Sequence, residues 1–125
     1  MKFLLIGIGG ALGALVRYIL SKVINESLVF SLIPWGTIIV NSIGAFLLSF
    51  IMFSSIERVE ISQNVILFFG TGFLGAFTTF STFTYETLTL FMKAPQRAFI
   101  YFAFNIVLAF FSAYFGMIFG RGKGI

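Results

Sequence analysis

The stretch GAFTTFSTFTYE, residues 75–86, decides the fold because it places polar side chains inside a strongly apolar segment. Seven of its twelve residues carry a hydroxyl or carboxyl group: Thr78, Thr79, Ser81, Thr82, Thr84, Tyr85 and Glu86. Glycines at positions 70, 72 and 75 loosen a helix, and the hydroxyls that follow can satisfy the backbone groups that are freed. The pattern predicts a helix that is broken near residues 75–80.

The composition predicts a membrane protein with a single domain, residues 1–125. The chain is 59% hydrophobic and only 10% charged, whereas a soluble domain carries about 25% charged residues. It contains neither Cys nor His, which excludes a His/Cys metal site and a Ser-His-Asp triad. Because no nucleophile–base pair can be assembled, we expect no enzyme. The basic residues are scattered singly, so nucleic acid is not an expected partner.

Four apolar segments are each long enough to cross a lipid bilayer, whose core of roughly 30 Å requires about 20 helical residues. They cover residues 3–21, 34–56, 65–91 and 97–119, with charged or turn-forming residues between them. These segments predict an all-α membrane protein of four antiparallel transmembrane helices. The polar stretch falls near the middle of the third helix, so that helix is expected to be broken at mid-membrane.

The basic residues are divided equally between the two sides that four spans define. The side of the termini carries Lys2, Arg58, Arg121 and Lys123, and the other side carries Arg17, Lys22, Lys93 and Arg97. Orientation normally follows an excess of Lys and Arg in cytoplasmic loops, so this balance predicts insertion in both orientations. The alternative is that other features of the sequence fix a single orientation in the membrane. Four helices enclose little space, and we therefore expect an antiparallel, dual-topology homodimer.

Polar side chains also follow the second and fourth helices inward from the side opposite the termini. At the helical rise, Asn41 lies about 10 Å and Asn105 about 12 Å from that end. Thr37 and Tyr101 lie one turn nearer the surface on the same faces. Taken alone, this file of polar residues is equally consistent with a permeation pathway and with hydrogen bonding between helices.

Two charged residues, Arg17 in the first helix and Glu86 in the third, lie at compatible depths. An ionisable residue at membrane depth is a functional candidate by default. An unpaired charge inside a bundle would be costly, however, so a structural ion pair between the two is the favoured interpretation.

Three motifs together resemble one known family, the Fluc (CrcB-type) fluoride channels, and the likeness covers the whole chain. The motifs are GGALGALVRY at residues 9–18, GTIIVNSIG at residues 36–44, and GFLGAFTTFSTF at residues 72–83 followed by Glu86. The resemblance implies a channel in the plasma or inner membrane that passively exports fluoride from the cytoplasm and so reduces fluoride toxicity. It also implies an antiparallel homodimer with two pores.

The resemblance further implies a structural sodium ion on the dimer axis, bound by the backbone carbonyls of Gly75 and Thr78. Ala109 stands where family members often have a hydroxyl, which interrupts the polar track on the fourth helix. Phenyl rings have positive edges that can face an anion. Combined with the polar file, the expected fluoride pore consists of Thr37, Asn41, Phe80, Thr82, Phe83, Tyr101 and Asn105.

The main alternative is a small dual-topology, four-helix, proton-coupled drug antiporter. Such a transporter needs a carboxylate inside the membrane as its proton carrier. Glu86 is the candidate, but it lies outside the first helix, where antiporters of that family place their acid. A purely structural membrane subunit is a weaker alternative, because it would not explain the glycine-then-hydroxyl pattern.

Overall fold

The computed structural model describes residues 1–28 and 32–124, and every regular element within those residues is helical. Four stretches are long and apolar enough to cross a membrane, which confirms the predicted four-span, all-helical fold. Three of them are the continuous helices α1 (Lys2–Ser27), α2 (Trp35–Glu57) and α6 (Pro95–Arg121). The remaining one, Gln63–Lys93, is called the third span here. Each helix extends somewhat beyond its apolar segment.

The third span is built from several pieces. Its first turn, α3 (Gln63–Val65), is capped by the side chain of Ser62, which accepts a hydrogen bond from the Val65 N–H at 3.3 Å. A π-helical segment (Ile66–Leu74) follows, and such segments are frequent at functional sites. The helix then continues as α4 (Gly75–Phe77) and resumes, after an interruption, as α5 (Ser81–Lys93).

The interruption comprises residues 78–80. Thr78 adopts extended backbone angles, φ −83° and ψ 159°, which end α4 because a helix requires negative ψ. The helix of the third span therefore ends and resumes within the hydroxyl-rich stretch.

Close contacts at glycine residues bring the helices together. α1 packs on the π-helical segment, where Gly9 and Gly13 are buried against the backbone of Phe68 and Phe73. α2 packs most extensively on α6, where Gly116 lies against the Phe46 backbone. Small residues permit such close backbone approach in lipid. The first contact joins the third span to α1, and the second joins α2 to α6.

We predict that Gly13→Ala destabilises the protein, whereas Gly7→Ala does not. A Cβ atom at Gly13 would collide with the Phe73 carbonyl, whereas one at Gly7 would meet nothing within 4 Å. Overpacking a close contact costs about 1–3 kcal/mol, and the ordinary gain from Gly→Ala in a helix is about 0.5–1 kcal/mol. Denaturant unfolding in detergent micelles measures both. Equal stability of the two variants would contradict this packing.

Candidate functional site

The carboxamide of Asn41 holds the interruption in place. The Thr79 N–H donates to Asn41 Oδ1 at 2.8 Å, and Asn41 Nδ2 donates to the Thr79 carbonyl at 3.1 Å. In a continuous α-helix the same N–H would donate to the carbonyl of Gly75, four residues earlier. The side chain from α2 thus replaces the bond that the helix has lost.

Threonine hydroxyls satisfy other backbone groups at the interruption. Thr79 Oγ1 accepts a hydrogen bond at 3.2 Å from the N–H of Thr82, in the first turn of α5. The Thr78 hydroxyl and the Thr78 N–H both donate to the Leu74 carbonyl, each at 3.1 Å. These contacts explain the hydroxyl-rich composition, because peptide groups away from water must find partners.

Several carbonyl oxygens are left free by this arrangement. Among the described residues, the carbonyl oxygens of residues 75–78 accept no hydrogen bond, since the amides that would reach them in a helix are diverted or turned away. Unwound carbonyls of this kind can coordinate cations. The described residues contain no group of His, Cys, Asp or Glu that could hold a metal ion. Gly75 and Thr78, the two predicted sodium ligands, are among the residues with free carbonyls, so the donor set fits a hard cation.

A cavity of about 330 Å³, called the phenylalanine cavity here, lies beside the interruption. Four predicted pore residues line it: Asn41, Phe80, Phe83 and Asn105. The rings of Phe80 and Phe83 meet edge to face, with centroids 5.6 Å apart. The Phe83 side chain is only 3% exposed, whereas that of Phe80 is 72% exposed. Ala109 also lies in the wall of this cavity, so the predicted gap in the polar track is located there.

Three side chains form a second polar group, called the Glu86 cluster here. Glu86 Oε1 accepts hydrogen bonds from the hydroxyls of Thr37 and Tyr101, each at 2.6 Å. The Tyr101 ring contacts Phe83, with centroids 5.9 Å apart. Bonds to a carboxylate are stronger than bonds between neutral groups, so this cluster ties α5 to both α2 and α6.

The direct ion pair predicted between Arg17 and Glu86 is not formed in the described chain. Both residues line a smaller cavity of about 180 Å³ together with Thr37 and Thr82. The carboxylate of Glu86 instead bonds the hydroxyls of its cluster, because those donors lie on the neighbouring helices at hydrogen-bond distance. The partners of Glu86 within the single chain are therefore Thr37 and Tyr101.

Thr79 is a site residue that the predicted set omitted. It borders both cavities and joins Asn41 to the start of α5. The spacing of Thr79 and Thr82 could have revealed it, because a hydroxyl commonly accepts from the amide three residues later at a helix start. The predicted polar file is also linked internally: Asn41 Nδ2 donates to Asn105 Oδ1 at 3.3 Å.

The sequence of the chain matches a known protein family. The family model described as "CrcB-like protein, Camphor Resistance (CrcB)" matches residues 4–117. The chain belongs to the CrcB-like family. This confirms the resemblance drawn from the three motifs.

Relatives of this CrcB-like chain carry a common name. A protein of Thermosipho melanesiensis is 65% identical over 98% of both chains, and one of Thermotoga maritima is 60% identical over 98% of this chain and 97% of its own. One of Methanocaldococcus jannaschii is 42% identical over 94% of this chain and 92% of its own. Each is named "Fluoride-specific ion channel FluC". With its four apolar helices, the CrcB-like chain is a multi-pass membrane protein.

We predict that Tyr101→Phe lowers the stability of the folded protein, whereas Tyr85→Phe does not. The first substitution removes a hydrogen bond to Glu86 from a fully buried side chain of α6, while Tyr85, on the third span, is 68% exposed. A hydrogen bond to a charged group contributes about 1.5–3 kcal/mol. Unfolding free energies in detergent micelles compare the two. A loss of the same size in both variants would show that the Glu86 cluster is not what stabilises the bundle.

Proposed function

We propose that this chain forms a channel through which fluoride passively leaves the cytoplasm across the plasma or inner membrane, reducing fluoride toxicity. The observation that carries the proposal is the phenylalanine cavity, where Phe80 and Phe83 stand beside Asn41 and Asn105. The names of the relatives, which match this chain over nearly its full length, support the same function. They describe transport rather than catalysis.

The chemistry of the phenylalanine cavity suits fluoride. Fluoride is small and tightly hydrated, so a pore must replace its water with weak donors. Ring edges carry partial positive charge, and the amides nearby can donate hydrogen bonds. Among the described residues that line the cavity, none is Lys or Arg, so no full positive charge would trap the ion. Several weak sites permit exit as well as entry.

The proposed path runs past Phe83. That residue borders the phenylalanine cavity on one side and contacts Tyr101 on the other. Beyond it lie the hydroxyls of Tyr101 and Thr37, and Thr82 borders the smaller cavity next to them. We propose that fluoride exchanges its partners along this row, from the Asn105 amide to the ring edges and then to hydroxyls that turn from Glu86 toward the ion.

We propose that the working channel is an antiparallel, dual-topology homodimer. The phenylalanine cavity is open on one side and Phe80 is largely exposed, so a second copy is needed to enclose an ion path. Equal numbers of basic residues on the two sides favour neither orientation. The interruption of the third span would then lie near the middle of the bilayer, close to its counterpart in the second copy.

We further propose that sodium binds on the two-fold axis, held by the carbonyls of Gly75 and Thr78 from both copies. The free carbonyls of residues 75–78 support this, since oxygen ligands suit a hard cation. The role of the ion is structural: it satisfies carbonyls that would otherwise remain unbonded in lipid.

We predict that liposomes containing the purified protein release fluoride but not chloride, with the membrane voltage shunted and no proton gradient. Phe80→Ile and Phe83→Ile should slow fluoride release strongly, since size and apolarity remain but the polarised ring edge is lost. Phe3→Ile is the matched control, because Phe3 is 89% exposed at the start of α1. Release that required a proton gradient would favour the antiporter instead. Unchanged rates in both Ile variants would refute the ring-edge mechanism.

We predict that a single cysteine at position 123 is labelled from both sides of the membrane. The chain contains no native Cys, so Lys123→Cys provides the sole thiol. Impermeant maleimide applied to intact cells and to inverted vesicles should modify roughly equal fractions, as balanced charges imply. A second variant, Val59→Cys, repeats the measurement at an exposed loop residue without removing a charge. Labelling from one side alone would exclude dual topology.

A further inference from the structure

We infer that Asn41 is a positioning residue, whose main role is to keep the third span interrupted and its carbonyls available. The Asn41 carboxamide bonds both backbone groups of Thr79, at 2.8 and 3.1 Å. Without it, the Thr79 N–H is free to return to the carbonyl of Gly75, its partner in a continuous helix. The expectation about sodium binding rests on the proposed function, whereas the expectation about the backbone conformation of the third span does not.

The orientation of the Asn41 carboxamide follows from its partners. A backbone N–H can only donate, so the atom facing the Thr79 amide must be the oxygen Oδ1. The Nδ2 group then faces the Thr79 carbonyl and Asn105 Oδ1. Asn105 is fixed in turn, because its own Nδ2 donates to the Tyr101 carbonyl at 3.2 Å. A chain of hydrogen bonds therefore runs from α6 through Asn105 and Asn41 to the interruption.

This chain of hydrogen bonds leaves Asn41 little capacity to serve an ion. A carboxamide has two N–H donors, and one bonds Thr79 while the other bonds Asn105. An anion that took a hydrogen bond from Asn41 would have to displace one of these partners. The geometry thus assigns Asn41 chiefly to the support of the backbone. It leaves the ring edges, the Asn105 amide and those hydroxyls that turn away from Glu86 as the groups that face fluoride.

The next turn of α2 also accommodates the interruption of the third span. Gly44 lies one turn after Asn41, and it is buried against Thr78. A Cβ atom at Gly44 would collide with the Thr78 methyl group. The same face of α2 thus bonds Thr79 and makes room for the extended backbone of Thr78.

The experiment replaces Asn41 with Leu, which has the same branching at Cγ and no hydrogen-bonding group. The first measurement is the Cα and carbonyl chemical shifts of Thr78 and Thr79 in isotopically labelled protein in lipid. These shifts report backbone conformation without reference to any ion. We expect extended values at Thr78 in the native chain and helical values in Asn41→Leu.

The second measurement is the thermal stabilisation that sodium provides over potassium in detergent. The sodium concentration for half-maximal stabilisation should rise by about tenfold in Asn41→Leu. The free energy that is lost with a hydrogen bond to a buried group corresponds to a change of about that size in a binding constant. Asn41→Asp retains an acceptor for the Thr79 N–H, so it should keep Thr78 extended and shift the sodium midpoint less. If the Leu variant does not assemble, Asn41→Ala tests the same two expectations.

Ser42→Ala is the matched control. Ser42 is adjacent on α2, and its buried hydroxyl has no hydrogen-bond partner within the described chain. It should match the native protein in both measurements. Extended Thr78 shifts and an unchanged sodium midpoint in Asn41→Leu or Asn41→Ala would overturn the inference. Should the native protein show no preference for sodium, the proposed cation site fails, and the Thr78 shifts alone still decide the role of Asn41.

Discussion

Inside a bilayer, a peptide group that leaves its helix has no water to bond, so every interrupted helix needs partners from elsewhere in the protein. Here the decisive partner is the Asn41 carboxamide, which bonds the N–H and the carbonyl of Thr79. The hydroxyl of Thr79 then caps the helix that follows. Because these bonds divert amides away from residues 75–78, they also leave carbonyls of that segment free.

This arrangement requires α2 to lie very close to the third span and to α6. Glycines provide that closeness, with Gly44 against Thr78 and Gly116 against the Phe46 backbone. Such contacts place Asn41 within reach of both Thr79 and Asn105. The hydrogen bonds of this protein therefore depend on its packing, because the polar side chains meet only where small residues let the helices approach closely.

The Glu86 cluster shows how a half-buried carboxyl group inside the bundle is accommodated by hydroxyl donors. Two hydroxyls donate to one carboxylate oxygen, and the donors belong to α2 and α6 while Glu86 belongs to α5. The cluster thus joins three helices at the point where Phe83 meets Tyr101. An acid in this position strengthens the bundle and leaves the arginine side chain of the adjacent cavity available for other contacts.

The sequence by itself determined the membrane class, the four spans and the position of the interruption, because hydropathy, glycine placement and hydroxyl spacing are local properties of the chain. It also identified the family, and it placed Arg17 and Glu86 at matching depth. Only the tertiary structure decided which groups bond one another: Asn41 with Thr79, and Glu86 with Thr37 and Tyr101 rather than Arg17. The physical reason is that helical rise fixes depth, whereas rotation and close packing of the helices fix which side chains of equal depth can meet.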